Sequence, residues 1–141
     1  GYFDPDPAHF KPMQKASDEW VYFWTAPDDP YCRVYDIGGV PGPKHPSVRR
    51  YTVPASGAAT RMEGQLYKPN TAAGSGSVSG CVYHNQRLAY NYTVGPGQQL
   101  FFGETLALTA GDTLDFALSA NGANVTYPVD DHCHFSFRLF A

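Results

Sequence analysis

The residues best suited to chemistry follow one another near the C-terminus: Asp130, Asp131, His132, Cys133 and His134. In an extended strand alternate side chains share a face, so His132 and His134 point the same way and could ligate one transition metal. A third ligand has to come from elsewhere in the chain. Asp130 and Asp131, with loop carbonyls, offer a different site, an oxygen cage suited to Ca2+; their plainer use is Asx capping of a turn. Cys133 sits between two histidines in sequence, yet alternation sends it to the opposite face, which argues against a Cys–His nucleophile. No G-x-S-x-G elbow occurs. Asp28 and Asp29 lie between prolines and read as turn residues rather than as an acid–base pair. The stretch Gly74–Gly80 precedes a strand, so it lacks the helix N-terminus that cradles phosphate. No catalytic residue is assigned, and an enzyme is the least supported class.

Binding chemistry has better candidates. Trp20, Tyr22 and Trp24 share one face of a strand, and such flat rings, apolar on the face and polar at the edge, stack on sugars. The competing use of the same rings is to fill a core. Asn91-Tyr92-Thr93 and Asn124-Val125-Thr126 are N-x-[ST] sequons, which makes Asn91 and Asn124 candidate glycosylation sites. Of the 3 cysteines, Cys133 faces the core and Cys81, on a neighbouring strand, is its most plausible disulfide partner. Spacing leaves the connectivity open, and Cys32 then remains as a buried thiol. An oxidising compartment fits this pattern.

Composition narrows the partners. The chain has 141 residues, enough for one domain with a sizeable core. Charged residues make up 16%, against roughly 25% in average soluble domains. The formal net charge is −3, and Arg49-Arg50 is the only adjacent basic pair, so there is no electrostatic footprint for nucleic acid. No apolar run approaches the ~18 residues that a membrane span requires. Gly1 rather than Met opens the sequence, which fits a processed mature form or a fragment.

Residues 1–17 differ from the rest. Pro5, Pro7 and Pro12 break any helix and favour extended conformations, while Tyr2, Phe3, Phe10 and Met13 are large apolar groups that want a pocket. The segment reads as an extended arm that docks, either back on its own sheet or on a neighbouring copy. The remainder, 18–141, reads as about nine strands and no helix. Leu88, Tyr90, Tyr92 and Val94 alternate with polar or small residues, as do Leu114, Phe116 and Leu118, and Cys133, Phe135, Phe137 and Leu139. Fourteen Gly and 12 Pro punctuate these runs. The pattern predicts an all-β, two-sheet antiparallel sandwich of jelly-roll type.

Tyr51–Gly57 followed by Met62, Gly64 and Leu66, then Ala110–Leu118, an Asp-bearing loop and a final aromatic strand, resembles the jelly-roll accessory domains of secreted bacterial proteins. Many of these are attached to polysaccharide-degrading enzymes. The resemblance covers roughly residues 45–140 and implies a glycan-binding or structural role outside the cell.

Two functions follow as expectations. The first is a structural subunit of a secreted, glycosylated extracellular filament. Copies would join head-to-tail by inserting Tyr2, Phe3, Pro5, Pro7, Phe10 and Met13 into the next subunit. The second is a monomeric carbohydrate-binding module that stacks sugar on Trp20, Tyr22 and Trp24.

Overall fold

A computed structural model describes residues 1–17, 22–35, 38–42, 44–71, 76–121 and 132–140. Among these residues thirteen strands follow one another: β1 (Tyr2–Phe3), β2 (Phe10–Lys11), β3 (Gln14–Ser17), β4 (Tyr22–Ala26), β5 (Asp29–Val34), β6 (Gly39–Val40) and β7 (Ser47–Thr52), then β8 (Ala59–Tyr67), β9 (Ser77–His84), β10 (Arg87–Val94), β11 (Gln99–Leu108), β12 (Thr113–Asn121) and β13 (His134–Phe140). No helix occurs among the described residues.

The strands form two antiparallel layers. One runs β10-β9-β12-β7-β1-β2. The other begins β11-β8-β13 and continues into β6-β5-β4-β3. The join is a bridge in which Gly39 and Cys133 exchange both backbone hydrogen bonds, each 2.9 Å. With that bridge, the eight strands from β6 to β13 follow jelly-roll order, changing layer at every step except the β9–β10 hairpin. The expected sandwich is therefore present. The segment before β6 widens it, with β1 and β2 added to one layer and β3 to β5 added to the other.

Alternation explains the core. Leu114, Phe116 and Leu118 of β12 face Met62 and Leu66 of β8 and Phe135 of β13 between the layers. Met62, Leu66 and Leu114 are fully enclosed, each worth roughly 2 kcal/mol of apolar burial. The other face of β12 is also covered. Ala117 packs with Phe3 and Val48, and Asp115 is fully buried.

Two sequence expectations need correction. In β10 the pairing shifts between Leu88 and Tyr90, so a bulge at Ala89 reverses the alternation there and leaves Leu88 56% exposed. Tyr90 and Tyr92 still pack on the core and Val94 is buried. The second correction concerns the cysteines: no disulfide forms between Cys81 and Cys133, and both are thiols. Cys133 lies between the layers with Phe135, whereas Cys81 packs on the outer face beside Tyr83 and Phe3. They sit on opposite faces of the six-stranded sheet, and one S–S bond cannot span it.

Candidate functional site

The N-terminal segment folds back on its own sheet. Tyr2 pairs with Ser47 of β7 and with Lys11 of β2, and Tyr2 and Phe3 are buried. Pro5 and Pro7 lie in the connection between β1 and β2, and Met13 packs against Tyr2, Ala26 and Cys32. Burial pushes the Cys32 thiol up to about 12, so it stays protonated and inert.

The contact between β1 and β7 is short. It ends where the Val48 N–H donates to the Gly1 carbonyl, 2.8 Å. From Arg49 to Thr52, β7 continues with β12 paired along its other side. At this edge lies a groove of about 650 Å3, lined among others by Phe10, Trp24, Arg49, Arg50, Tyr51 and Phe137. Each residue reaches it for a structural reason. Alternation along β7 sends Arg50 to the outer face and Tyr51 to the inner one, so the edge presents both. Phe137 is fixed from behind by stacking on Phe116, ring centroids 3.6 Å apart, and Tyr51 meets Phe137 edge-on at 6.4 Å. Trp24 comes across from the other layer, where it pairs with Val34 and Lys15.

The polar part of the groove is held in place beforehand. Arg50 makes a two-pronged salt bridge to Asp115, 2.7 and 2.8 Å, and its guanidinium lies 4.0 Å over the Phe10 ring. Arg49 donates to the Gly38 carbonyl at 3.2 Å. Trp24 and Tyr51 are each 37% exposed, so both rings remain accessible. The site combines apolar ring faces with a few fixed hydrogen-bond donors, which suits an amphipathic, hydroxyl-rich ligand.

The other sequence candidates are placed as follows. Trp20, Asn124, Asp130 and Asp131 lie outside the described residues. Tyr22 belongs to β4, and its side chain is likewise outside them. Asn91 and Thr93 are exposed on the same face of β10, and the Cys81 thiol donates to Asn91 Oδ1 at 3.6 Å. His132 and His134 do share a face, with ring centroids 5.3 Å apart, and each is met edge-on by a tyrosine, Tyr35 and Tyr67. Burial, with a smaller effect of His134, lowers the His132 pKa below the usual histidine range. Among the described residues, no three His, Cys, Asp or Glu side chains gather in a way that could hold a metal. Ca2+ at Asp130 and Asp131 falls outside them.

Sequence reasoning singled out Trp24 but missed Phe10, Tyr51, Phe137 and the arginine pair as its neighbours. The available signal was Arg49-Arg50-Tyr51 itself, two cations and an aromatic in a strand of a chain poor in charge. A second shallow depression, about 470 Å3, lies on the outside of β8 and β13 beside Phe101, which is 71% exposed.

Fold and site together define an all-β jelly-roll sandwich with an aromatic groove at a sheet edge. No protein-family model matches the chain, and no curated protein matches it. Among solved structures it is similar to a cycloisomaltooligosaccharide glucanotransferase from Paenibacillus sp., in complex with cycloisomaltoheptaose, at 11% identity and a TM-score of 0.41. That likeness covers 99% of this chain and 18% of the other.

Proposed function

We propose that this chain is a carbohydrate-binding module of a secreted, extracellular protein, and that it takes a glycan in the groove beside β7. The observation that carries the reading is the pairing of two accessible rings, Trp24 and Tyr51, with an arginine already locked by Asp115. A sugar ring stacked on Trp24 would present its hydroxyls to Arg49 and Arg50. The rings bury apolar sugar faces, and the Arg50 guanidinium, already fixed by Asp115, loses little further freedom on binding. Calorimetry against soluble polysaccharides and oligosaccharides is the test. Saturable binding that Trp24→Ala reduces more than roughly tenfold, with an unchanged unfolding midpoint, is expected. Affinity unchanged from the parent chain in both Trp24→Ala and Tyr51→Ala would remove the groove from the account.

A second reading is the head-to-tail filament with copies of itself as partners. One observation favours it: β1 is two residues long and holds β7 through a single register pair, so the β1–β2 hairpin is an exchangeable edge element. Assembly would require Tyr2 and Phe3 to leave their own domain for the same places in the next copy. Electron microscopy of protein taken directly from its source separates the two readings, since only the second gives regular filaments. Glycans attached at Asn91 are compatible with either reading and are sought by mass spectrometry of the intact protein.

A further inference from the structure

His45 is buried at the junction of β1, the turn between β4 and β5, and the loop before β7. Its Nδ1 lies 3.2 Å from the Phe3 carbonyl oxygen, and its Nε2 lies 3.0 Å from both carboxylate oxygens of Asp28. The ring also packs on Tyr2, centroids 4.7 Å apart. A carbonyl and a carboxylate only accept hydrogen bonds, so both ring nitrogens must donate. A neutral imidazole has one N–H and can satisfy one of the two. Only the imidazolium satisfies both.

We infer that His45 is a pH-operated latch: in its protonated form it ties the β1–β2 hairpin to the β4–β5 turn, and deprotonation releases one of the two ties. The surroundings are consistent with this use. From the turn, Asp28 faces the ring, while Asp29 is buried and accepts the backbone N–H groups of Lys44, 2.9 Å, and His45, 3.3 Å. Lys44 Nζ is turned away to the Asp28 carbonyl, 2.9 Å, and Lys11 of β2 is paired with Asp4, 2.7 Å. Tyr2 from β1 presents its ring, and Cys32 from β5 lies behind Tyr2 as a neutral thiol. Asp28 is thus the anion that meets the ring, and the hydrogen bond from His45 holds its carboxyl below the usual carboxylate range. The sign follows from these partners. The latch is closed while the His45 imidazolium faces an ionised Asp28, and it opens when rising pH removes the ring's second proton.

Hydrogen exchange on the full chain tests this. The informative amides are Asp4, bonded to the His9 carbonyl, and Val48, bonded to Gly1. After correction for intrinsic rates, their opening constants should rise with pH, by at most about tenfold per unit, while the imidazolium is being lost and level off once the ring is neutral, whereas core amides such as Val82 stay flat. His9 also contacts a carboxylate, Asp6, in the same hairpin, 2.8 Å. His9→Gln should therefore keep the pH dependence and His45→Gln should abolish it. Nitrogen NMR of the unmodified chain covers the case in which His45→Gln fails to fold. Two protonated ring nitrogens in the closed state support the latch. A single protonated nitrogen in the closed state, or hairpin exchange that stays flat while His45 titrates, overturns it.

Discussion

The jelly-roll strands and the strands added before them are held together by different physics. Between the layers, Met62, Leu66, Val78, Val82, Leu114 and Phe135 form one continuous apolar cluster. The N-terminal additions have two small ones, Tyr2 with Ala26 and Cys32, and Phe3 with Val48 and Ala117. Their remaining ties are polar: Asp28 to His45, Asp29 to the Lys44 amide, Lys11 to Asp4. Apolar burial is indifferent to pH, whereas those ties are not. Cooperative unfolding should therefore belong to the first region, and local opening to the second.

The strongest test acts at the seam. Asp115 belongs to the jelly roll, but Arg50 and the hairpin residue Phe10 cover it. Asp115→Ala leaves Arg50 without its carboxylate and should cost roughly 3–5 kcal/mol in urea unfolding. Next comes Leu66→Ala, which empties the centre of the core and should cost about 3 kcal/mol of global stability. Tyr2→Ala should shift the global midpoint less than Leu66→Ala while opening the Asp4 and Val48 amides to exchange. If Tyr2→Ala matches Leu66→Ala globally, the two regions are one cooperative unit.

Weaker effects sharpen the picture within the jelly roll. Asp112 accepts from Asn85 Nδ2, the Thr109 amide and His84 Nε2, each at 2.9 Å, and these bonds hold its carboxyl far below the usual range. Its contribution is present above the ordinary carboxylate pKa and fades as pH falls. Asp112→Ala should therefore lower the thermal midpoint at neutral pH and converge with the parent chain in acid. The smallest effect is expected for Leu88→Thr, within about 0.5 kcal/mol, because the bulge has already placed this side chain in water.

Much of the sandwich was legible as period-two alternation. The β12 and β13 patterns predict which side chains lie between the layers, and the tight turns at Asn85-Gln86 and Gly111 fall between strands as expected. Asn85 and Gln86 both have positive φ, 48° and 69°, the geometry of a two-residue hairpin turn. Alternation has no memory across a bulge, which is why Leu88 was misplaced. It also cannot tell which face of a second sheet a cysteine meets, so Cys81 and Cys133 were paired across a layer. The groove was illegible for a related reason. It depends on where β1 stops along β7, and a register between residues so distant in sequence leaves no local trace. Asp115 had the same difficulty: its burial comes from the hairpin that lies over it, not from its neighbours in β12.

The way the first strands attach also bears on the order of events during synthesis. Phe3 is synthesised well before Val48 and Ala117, on which it packs, and the hydrogen bond joining its carbonyl to His45 closes a separation of 42 residues. Before β7 is made, Phe3 can pair with Phe10 of β2, but Val48 and Ala117 are still missing. The nascent chain therefore carries Phe3 without Val48 and Ala117 until most of the sandwich has emerged, a period in which holding factors or early export would keep that ring from neighbouring chains.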